Sequence, residues 1–191
     1  MLRAIALALP VLLAAFVATD GASASPSRAH VYFFAGKLGI FFSSGLTAMA
    51  DDLRKEGVDS TVYRYQEWEA AADAIAADYR NGRVRTIILG GYSAGAISVN
   101  GVVARLSRAG IPVRLAIGLD PLQVEAVSGS VGRYVNFYNR RAGAKAIAAG
   151  RGFRGAIQNV DISNVPDIDH TNVDDDRVIQ TKILDTIRSA L

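Results

Sequence analysis

The fold is decided by residues 86–99, which read Thr-Ile-Ile-Leu-Gly-Gly-Tyr-Ser-Ala-Gly-Ala-Ile-Ser-Val. The apolar run 86–90 predicts a buried strand, and apolar positions over residues 97–106 predict a helix. Between them lie residues 91–95, a Gly-x-Ser-x-Gly sequence. At a strand-to-helix boundary this sequence holds its serine in a strained turn, and glycines flank it because larger side chains would collide. We therefore expect Ser93 to be a nucleophile; the alternative is a tight turn whose serine caps the helix.

Strand and helix patterns alternate along the rest of the chain. Because apolar strands that alternate with helices are typical of a sheet covered on both faces, we predict the α/β class, as a three-layer α/β/α sandwich with a mostly parallel sheet of about six strands. Ser43 or Ser44 is expected to cap the first helix. The predicted strands are 31–34, 61–63, 86–90, 113–119, 134–138 and 157–162, the helices centre on 46–53, 68–76, 97–106 and 176–191, and residues 140–155 are expected to be loosely structured.

A serine hydroxyl needs a general base, and the chain contains two histidines. His30 precedes the first strand, which puts it at the sheet edge opposite to Ser93, so we expect a surface residue there. His170 lies in a polar loop between the last strand and the last helix, at the edge where Ser93 is expected. We therefore predict His170 as the base; the alternative is a solvated loop histidine.

The third group of such a site is an acid that orients the histidine. Asp120 ends the strand that follows the Ser93 helix, so its carboxylate is expected at the same sheet edge as Ser93. We predict Asp120 as the acid; its alternative role is a turn formed with Pro121. Asn139, at the tip of the next strand, cannot serve as an acid. The competing acids are Asp161, Asp167 and Asp169.

A tetrahedral intermediate also needs backbone donors for its oxyanion. The N–H of Ala94, directly after the serine, is one natural donor. The second is expected from the loop after the first strand, residues 36–39, where we choose Lys37. The alternative reading of this loop is an ordinary glycine-rich turn.

The first residues have the pattern of a secretory signal peptide. A positive start, Met-Leu-Arg, precedes an apolar run over residues 4–17 and a small-x-small cleavage site at 22–24. We predict a signal peptide over residues 1–24, a single domain over 25–191, and a periplasmic or secreted protein that is not inserted in the membrane once the leader is removed. The alternative is a retained anchor, although the apolar run is shorter than the ~20 residues that a membrane span needs.

Charge and cysteine content exclude several classes of function. The net charge of +3 is too small for a nucleic-acid interface, and a chain without cysteine has neither disulfides nor a catalytic thiolate. Acidic residues at 167, 169 and 174–176 offer calcium binding as an alternative. Their spacing matches no known calcium motif, so we favour acids that stabilise the start of the closing helix. No metal or cofactor is predicted.

With these residues in place, the chain resembles the α/β-hydrolase superfamily over essentially all of residues 25–191. The resemblance rests on Gly-Tyr-Ser-Ala-Gly around Ser93, on Asp120-Pro121 and on His170, which follow the superfamily order of serine, acid and histidine. More closely, the chain looks like small proteobacterial hydrolases. This closer likeness is carried by Phe34-Ala35-Gly36, Phe42-Ser43, Trp68, residues 135–138 (Val-Asn-Phe-Tyr), residues 152–155 (Gly-Phe-Arg-Gly) and residues 169–172 (Asp-His-Thr-Asn).

The resemblance implies a three-layer sandwich with Ser93, Asp120 and His170 as its catalytic triad. The acid follows the strand next to the serine helix, whereas many relatives place it after the following strand, at the position of Asn139. Tyr92 stands where many lipases have histidine.

The expected reaction is hydrolysis of a carboxylic ester or thioester of a small molecule, through an acyl-enzyme on Ser93 and without a cofactor. The chain has no long insertion between Ser93 and His170, which favours a small or exposed substrate over a long-chain lipid. Two alternatives stay open: a binding protein without turnover on a hydrolase scaffold, and acyl transfer by the same three residues.

Overall fold

The computed structural model describes residues 28–37, 43–123 and 126–191. The predicted signal peptide, residues 1–24, lies outside the described residues. Within the part of the chain that the structure describes, no helix combines the length and the apolar character that crossing a membrane requires.

The centre of the fold is a parallel sheet of six strands in the order β2-β1-β3-β4-β6-β8. Every neighbouring pair in it runs parallel. Two further short strands, β5 and β7, pair with each other beside this sheet. The strands are β1 Ala29–Ala35, β2 Asp59–Arg64, β3 Thr86–Tyr92, β4 Val113–Leu119, β5 Ala126–Val127, β6 Ser130–Tyr138, β7 Ala148–Ala149 and β8 Arg154–Asp161.

In the described ranges, four helices cover the two faces of the sheet. They are α1 Ser44–Lys55, α2 Trp68–Arg80, α3 Ala94–Arg108 and α4 Arg177–Arg188. The apolar residues of α2 and α3 pack into a core on one face, and those of α1 and α4 pack into a second core on the other. The predicted three-layer α/β/α sandwich with a parallel six-stranded sheet is therefore confirmed.

The helix ends follow from local side-chain chemistry. Asp176 caps α4, because its carboxylate accepts hydrogen bonds from the N–H groups of Val178 and Ile179. Ser43 occupies the N-cap position of α1 but makes no side-chain cap. Its hydroxyl instead accepts the N–H of Gly36 at 3.1 Å, which ties the loop after β1 to the start of α1. The predicted capping role of Ser43 is thus replaced by a contact that shapes this loop.

Several elements differ from the sequence prediction, most clearly β6 and the segment that follows it. β6 begins at Ser130, four positions before the predicted start, and its pairing with β8 shifts register between Ser130 and Arg133. The sequence there, Ser-Val-Gly-Arg, gives only a weak strand signal because glycine is depleted in strands and marks irregularities. Residues 140–155 contain β7 and a short 3₁₀ turn, Arg140–Ala142, where we expected loose structure.

The topology gathers four loops at one edge of the sheet. Ser93 follows β3, Asp120 follows β4, Asn139 follows β6, and His170 lies between β8 and α4. The carboxyl ends of parallel strands share an edge, and ligands bind there in open α/β sheets. His30 lies in β1, level with Ile87 at the opposite end of β3.

Candidate active site

Ser93 sits in a sharp turn between β3 and α3. Its φ of 54° and ψ of −118° lie in a region that residues with a side chain rarely adopt. The Ser93 N–H donates to the Leu119 carbonyl at 2.9 Å, which anchors the turn to the neighbouring strand β4. Strain that the surrounding structure enforces in this way is typical of functional positions.

The two glycines of the turn are required by close backbone approach. A Cβ at Gly95 would lie 1.8 Å from the carbonyl oxygen of Phe34, and a Cβ at Gly91 would lie 2.3 Å from the carbonyl oxygen of Gly95. Both distances are far inside van der Waals contact, and the atoms met are backbone atoms that cannot move aside. The glycines therefore allow α3 to start directly against β1, which places Ser93 at the sheet edge.

The structure brings Ser93, His170 and Asp120 together. Ser93 Oγ lies 2.9 Å from His170 Nε2, and His170 Nδ1 lies 2.7 Å from Asp120 Oδ2. Because an ionised carboxylate only accepts hydrogen bonds, Nδ1 carries the proton, and Nε2 is left to accept the Ser93 hydroxyl. This is the geometry in which a histidine can remove a serine proton.

Asp120 is held from two sides. It is fully buried, and its Oδ1 accepts the backbone N–H of Asn139 at 2.8 Å while Oδ2 faces His170. Asp120 also has a positive φ of 48°, and its own N–H donates to the Phe137 carbonyl at 2.7 Å. Asn139, which occupies the position where many α/β-hydrolases carry the acid, therefore fixes the carboxylate of Asp120 through its backbone.

Two of the three competing acids hydrogen-bond to other groups. Asp161 accepts the N–H and the hydroxyl of Ser163, and Asp169 accepts the N–H and the hydroxyl of Thr171. Asp167 has a positive φ of 57°. Among the described residues Asp120 is the acid in contact with His170.

Tyr92 is a contact residue that the sequence prediction missed. It is buried, and its hydroxyl donates to the backbone carbonyl of His170. The Tyr92 and His170 rings lie 5.6 Å apart between centroids. Burial raises the pKa of Tyr92, so the hydroxyl keeps its proton and its donor role at neutral pH. Tyr92 thus pins the loop that carries His170 to the end of β3.

Ala94 and the loop that begins at Gly36 lie beside Ser93. A Cβ at Gly36 would lie 3.5 Å from Cβ of Ser93, which places the loop after β1 next to the serine. Since the Gly36 N–H is engaged by Ser43, the next N–H along this loop belongs to Lys37. Lys37 and Ala94 also line one common cleft. Residues 38–42, the remainder of this loop, lie outside the described residues.

Asp174 is a second buried carboxyl near this site. Among the described residues, no group hydrogen-bonds to its carboxylate oxygens. Its backbone carbonyl accepts the side chain of Gln180 at 2.9 Å. Burial, with a smaller contribution from the charge of Asp175, raises the pKa of Asp174 to about 6. The neighbouring backbone N–H groups of Asp174 and Gly45, which are too poorly placed to hydrogen-bond to the carboxylate, and His170 oppose this rise only in part.

We expect Asp174→Asn to change how stability depends on pH. Because the pKa of Asp174 in the folded state exceeds its reference value of 3.8, the folded state retains a proton that the unfolded chain loses, and this stabilisation is lost as pH rises through about 4 to 6. Asparagine does not titrate. The unfolding free energy of the variant, relative to wild type, is therefore expected to rise by about 2 kcal/mol between about pH 4 and pH 7.

Urea unfolding at a series of pH values measures this difference. The exposed neighbour supplies the control: Asp175→Asn removes a nearby charge, keeps an oxygen that can accept the Ser44 hydroxyl, and is expected to produce a smaller change. Parallel stability curves for wild type and Asp174→Asn would contradict the prediction.

The acidic residues considered for calcium do not converge. In the described part of the chain, no group of three or more candidate ligands is placed to hold a metal ion. Asp169 is bonded to Thr171, Asp174 is buried, and Asp176 caps α4. At Asp176 the structure therefore shows the helix-stabilising role that we favoured for these acids over calcium binding.

Comparison of the chain with known proteins finds matches among solved structures and none among family models or curated proteins. Among solved structures, it is similar to a proposed hydrolase of the α/β superfamily from Xanthomonas campestris pv. campestris, with 14% identity, a TM-score of 0.47, and coverage of 84% of this chain and 98% of that chain. It is also similar to the RedJ thioesterase of prodiginine biosynthesis from Streptomyces coelicolor, with 11% identity, a TM-score of 0.48, and coverage of 96% and 91%. The chain's own strand order and the Ser93 turn between β3 and α3 define an α/β-hydrolase-like fold.

Proposed function

We propose that this protein is a serine hydrolase that cleaves a carboxylic ester or thioester through an acyl-enzyme on Ser93. The observation that carries the proposal is the hydrogen-bonded chain from Ser93 Oγ through His170 to Asp120, with links of 2.9 and 2.7 Å. All three groups stand at one sheet edge. The buried carboxylate faces away from solvent, where its interaction with the imidazole is strong.

The first half-reaction transfers the acyl group to the enzyme. Ser93 Oγ attacks the carbonyl carbon while its proton moves to His170 Nε2. The resulting oxyanion receives hydrogen bonds from the N–H groups of Ala94 and Lys37. Collapse of this intermediate breaks the bond to the alcohol or thiol, which leaves with the proton held on Nε2. Asp120 stabilises the imidazolium while it exists.

The second half-reaction returns the enzyme to its starting state. Nε2 of His170 removes a proton from water, and the hydroxide attacks the acyl-enzyme carbonyl. Breaking the ester bond to Ser93 releases the carboxylic acid, and Oγ recovers its proton from Nε2. The two half-reactions together require only residues of this chain and water.

Export is a further part of the proposal. We infer it from the positive start, the apolar run and the small-x-small site in residues 1–24. The mass of the protein recovered from the periplasm or culture medium tests it. A mass that still includes residues 1–24 would contradict removal of the leader.

Labelling with a fluorophosphonate tests the catalytic proposal directly. The probe reacts with activated serines, so mass spectrometry is expected to find the adduct on the peptide that contains Ser93. Turnover of p-nitrophenyl esters is expected to fall in proportion to the fraction of enzyme that is labelled. A burst of nitrophenol equal to the enzyme concentration would report the acyl-enzyme. Absence of both labelling and turnover would contradict the proposal and favour the binding-protein alternative. Added alcohols and amines, followed by product analysis, distinguish acyl transfer from hydrolysis.

A further inference from the structure

A cleft of about 710 Å³ opens beside Ser93. It begins at Ala94 and Lys37, the two predicted oxyanion donors, and follows α3 as far as Gly101. Its opposite side is formed by the turn before α2 and by Trp68 at the start of that helix. Its volume is within the range of cavities that hold drug-sized ligands, and it exceeds what an acetyl group would fill.

The position of the cleft determines which part of a substrate enters it. In the tetrahedral intermediate the carbonyl carbon carries Oγ of Ser93, the oxyanion, the leaving group and the acyl substituent. The leaving group must face His170, because His170 supplies its proton. The cleft is lined by the oxyanion donors, and His170 is not among the described residues that line it. The substituent left to occupy the cleft is therefore the acyl group.

The walls of the cleft are aromatic and apolar close to α3. Ile97, one turn after Ala94, lines the cleft and is 43% exposed, so its side chain is available to a ligand. Trp68 lies close against α3, since a Cβ at Gly101 would come within 2.9 Å of the indole ring. The hydroxyl of Ser98 donates to the Tyr65 carbonyl at 2.8 Å and fixes the aromatic turn to α3.

Neutral polar groups complete the lining. Gln66, Asn100 and Gln123 are the amide-bearing residues among those that line the cleft. Of the described residues that line the cleft, only Lys37 is charged. A cationic ligand is therefore disfavoured, and an all-apolar ligand would cover amides without satisfying them, which costs free energy.

We propose that this cleft is the acyl-binding site and that it selects a neutral aryl-bearing acyl group with a hydrogen-bonding substituent on the ring. The inference rests on the proposed acyl-enzyme at Ser93. A planar ring contacts Ile97 and Trp68, and aromatic pairs contribute beyond the area they bury. A ring hydroxyl reaches the amides that an alkyl chain would leave unpaired. A flexible alkyl chain would also lose more conformational freedom on binding.

The test compares p-nitrophenyl esters that share one leaving group. The (p-hydroxyphenyl)propanoate, the phenylpropanoate and the nonanoate carry acyl groups with equal numbers of carbon atoms, and the acetate leaves the cleft empty. We expect kcat/KM for the hydroxyphenyl ester to exceed that for the nonanoate by about tenfold or more. We expect the unsubstituted phenyl ester to fall between them.

Ile97→Trp fills the cleft from an exposed position and is expected to lower the ratio of hydroxyphenylpropanoate to acetate kcat/KM by about tenfold. Trp68→Leu removes the aromatic wall and is expected to lower the ratio of hydroxyphenylpropanoate to nonanoate kcat/KM. Val178→Trp is the matched control, because Val178 is a 52% exposed aliphatic residue on α4, and it is expected to leave both ratios unchanged.

The outcomes separate this inference from the proposed function. Turnover of all four esters with no aryl preference, or with ratios that Ile97→Trp does not change, overturns the acyl-site inference and leaves the serine mechanism standing. Absence of turnover on every ester, together with no fluorophosphonate labelling, overturns both.

Discussion

Replacing Ser93 with alanine is expected to lower kcat for p-nitrophenyl butyrate by about 10⁶-fold, because the group that forms the acyl-enzyme is removed. His170 Nε2 then faces a methyl group and has no proton to remove from the enzyme. The residual rate would come from oxyanion donors that still polarise a bound ester.

The fold is expected to survive this substitution. The described hydrogen bond of the Ser93 hydroxyl runs to His170, and the backbone bond from Ser93 N–H to Leu119 does not depend on the side chain. Alanine also carries the same Cβ into the strained turn, so the strain is unchanged. Thermal unfolding of both proteins therefore isolates the chemical effect from a loss of structure.

Steady-state kinetics and fluorophosphonate labelling provide the measurement. Ser189→Ala is a suitable control, since Ser189 is exposed at the end of α4 and its hydroxyl accepts a hydrogen bond from Arg133 of β6, level with Leu115 and away from the Ser93 edge of the sheet. It is expected to keep wild-type turnover and labelling. If Ser93→Ala still formed the adduct or retained most of the turnover, another residue would be the nucleophile.

The turn around Ser93 could be predicted because its signal is local. Five consecutive residues between an apolar strand and an apolar helix indicate both the backbone conformation and the packing that needs glycine. The close approach of Gly95 to the Phe34 carbonyl supplies the physical reason. The same holds for β4, whose bounds Val113–Leu119 match the predicted strand, because the run of apolar residues stops at Asp120-Pro121.

The placement of His170 and Asp120 could be inferred from topology. In a parallel sheet, residues that follow strands share an edge. The sequence therefore predicts that Asp120, Ser93 and the loop before the last helix lie near each other. Their contact distances depend on loop conformations that no pattern encodes. The roles of these residues in catalysis stay predictions that the experiments above test.

Other features of the site have no sequence signal. The bond from Tyr92 to the His170 carbonyl and the bond from the Asn139 N–H to Asp120 join segments far apart in the chain through backbone atoms. A backbone donor or acceptor is present at almost every position, so these contacts cannot be predicted from the residue types. The two-residue strands β5 and β7 are likewise too short for hydrophobic alternation to show.

Asp120→Asn is expected to lower kcat by about 10⁴-fold although the two side chains have nearly the same shape. The reason lies in how the site would orient the new amide. Asp120 Oδ1 accepts the Asn139 N–H at 2.8 Å, and only an oxygen can do so. In the variant the amide oxygen is therefore retained at that position, and the NH₂ group is turned toward His170.

This orientation inverts the hydrogen bonding of the imidazole. An NH₂ group donates, so Nδ1 of His170 must accept, and the proton of the neutral ring moves to Nε2. Nε2 then donates toward Ser93 Oγ across the 2.9 Å contact and cannot remove its proton. The variant also lacks the negative charge that stabilises the imidazolium during the reaction.

Two further variants make this prediction specific. Asp120→Ala leaves the tautomer of His170 free, and we expect Asp120→Asn to be no less damaging than Asp120→Ala despite its better fit. Asp161→Asn removes a competing acid that bonds to Ser163, and it is expected to keep turnover near the wild-type level. An Asp120→Asn enzyme within about tenfold of wild type would mean that Asp120 does not set the tautomer of His170, and one of the other acids would then have to supply that role.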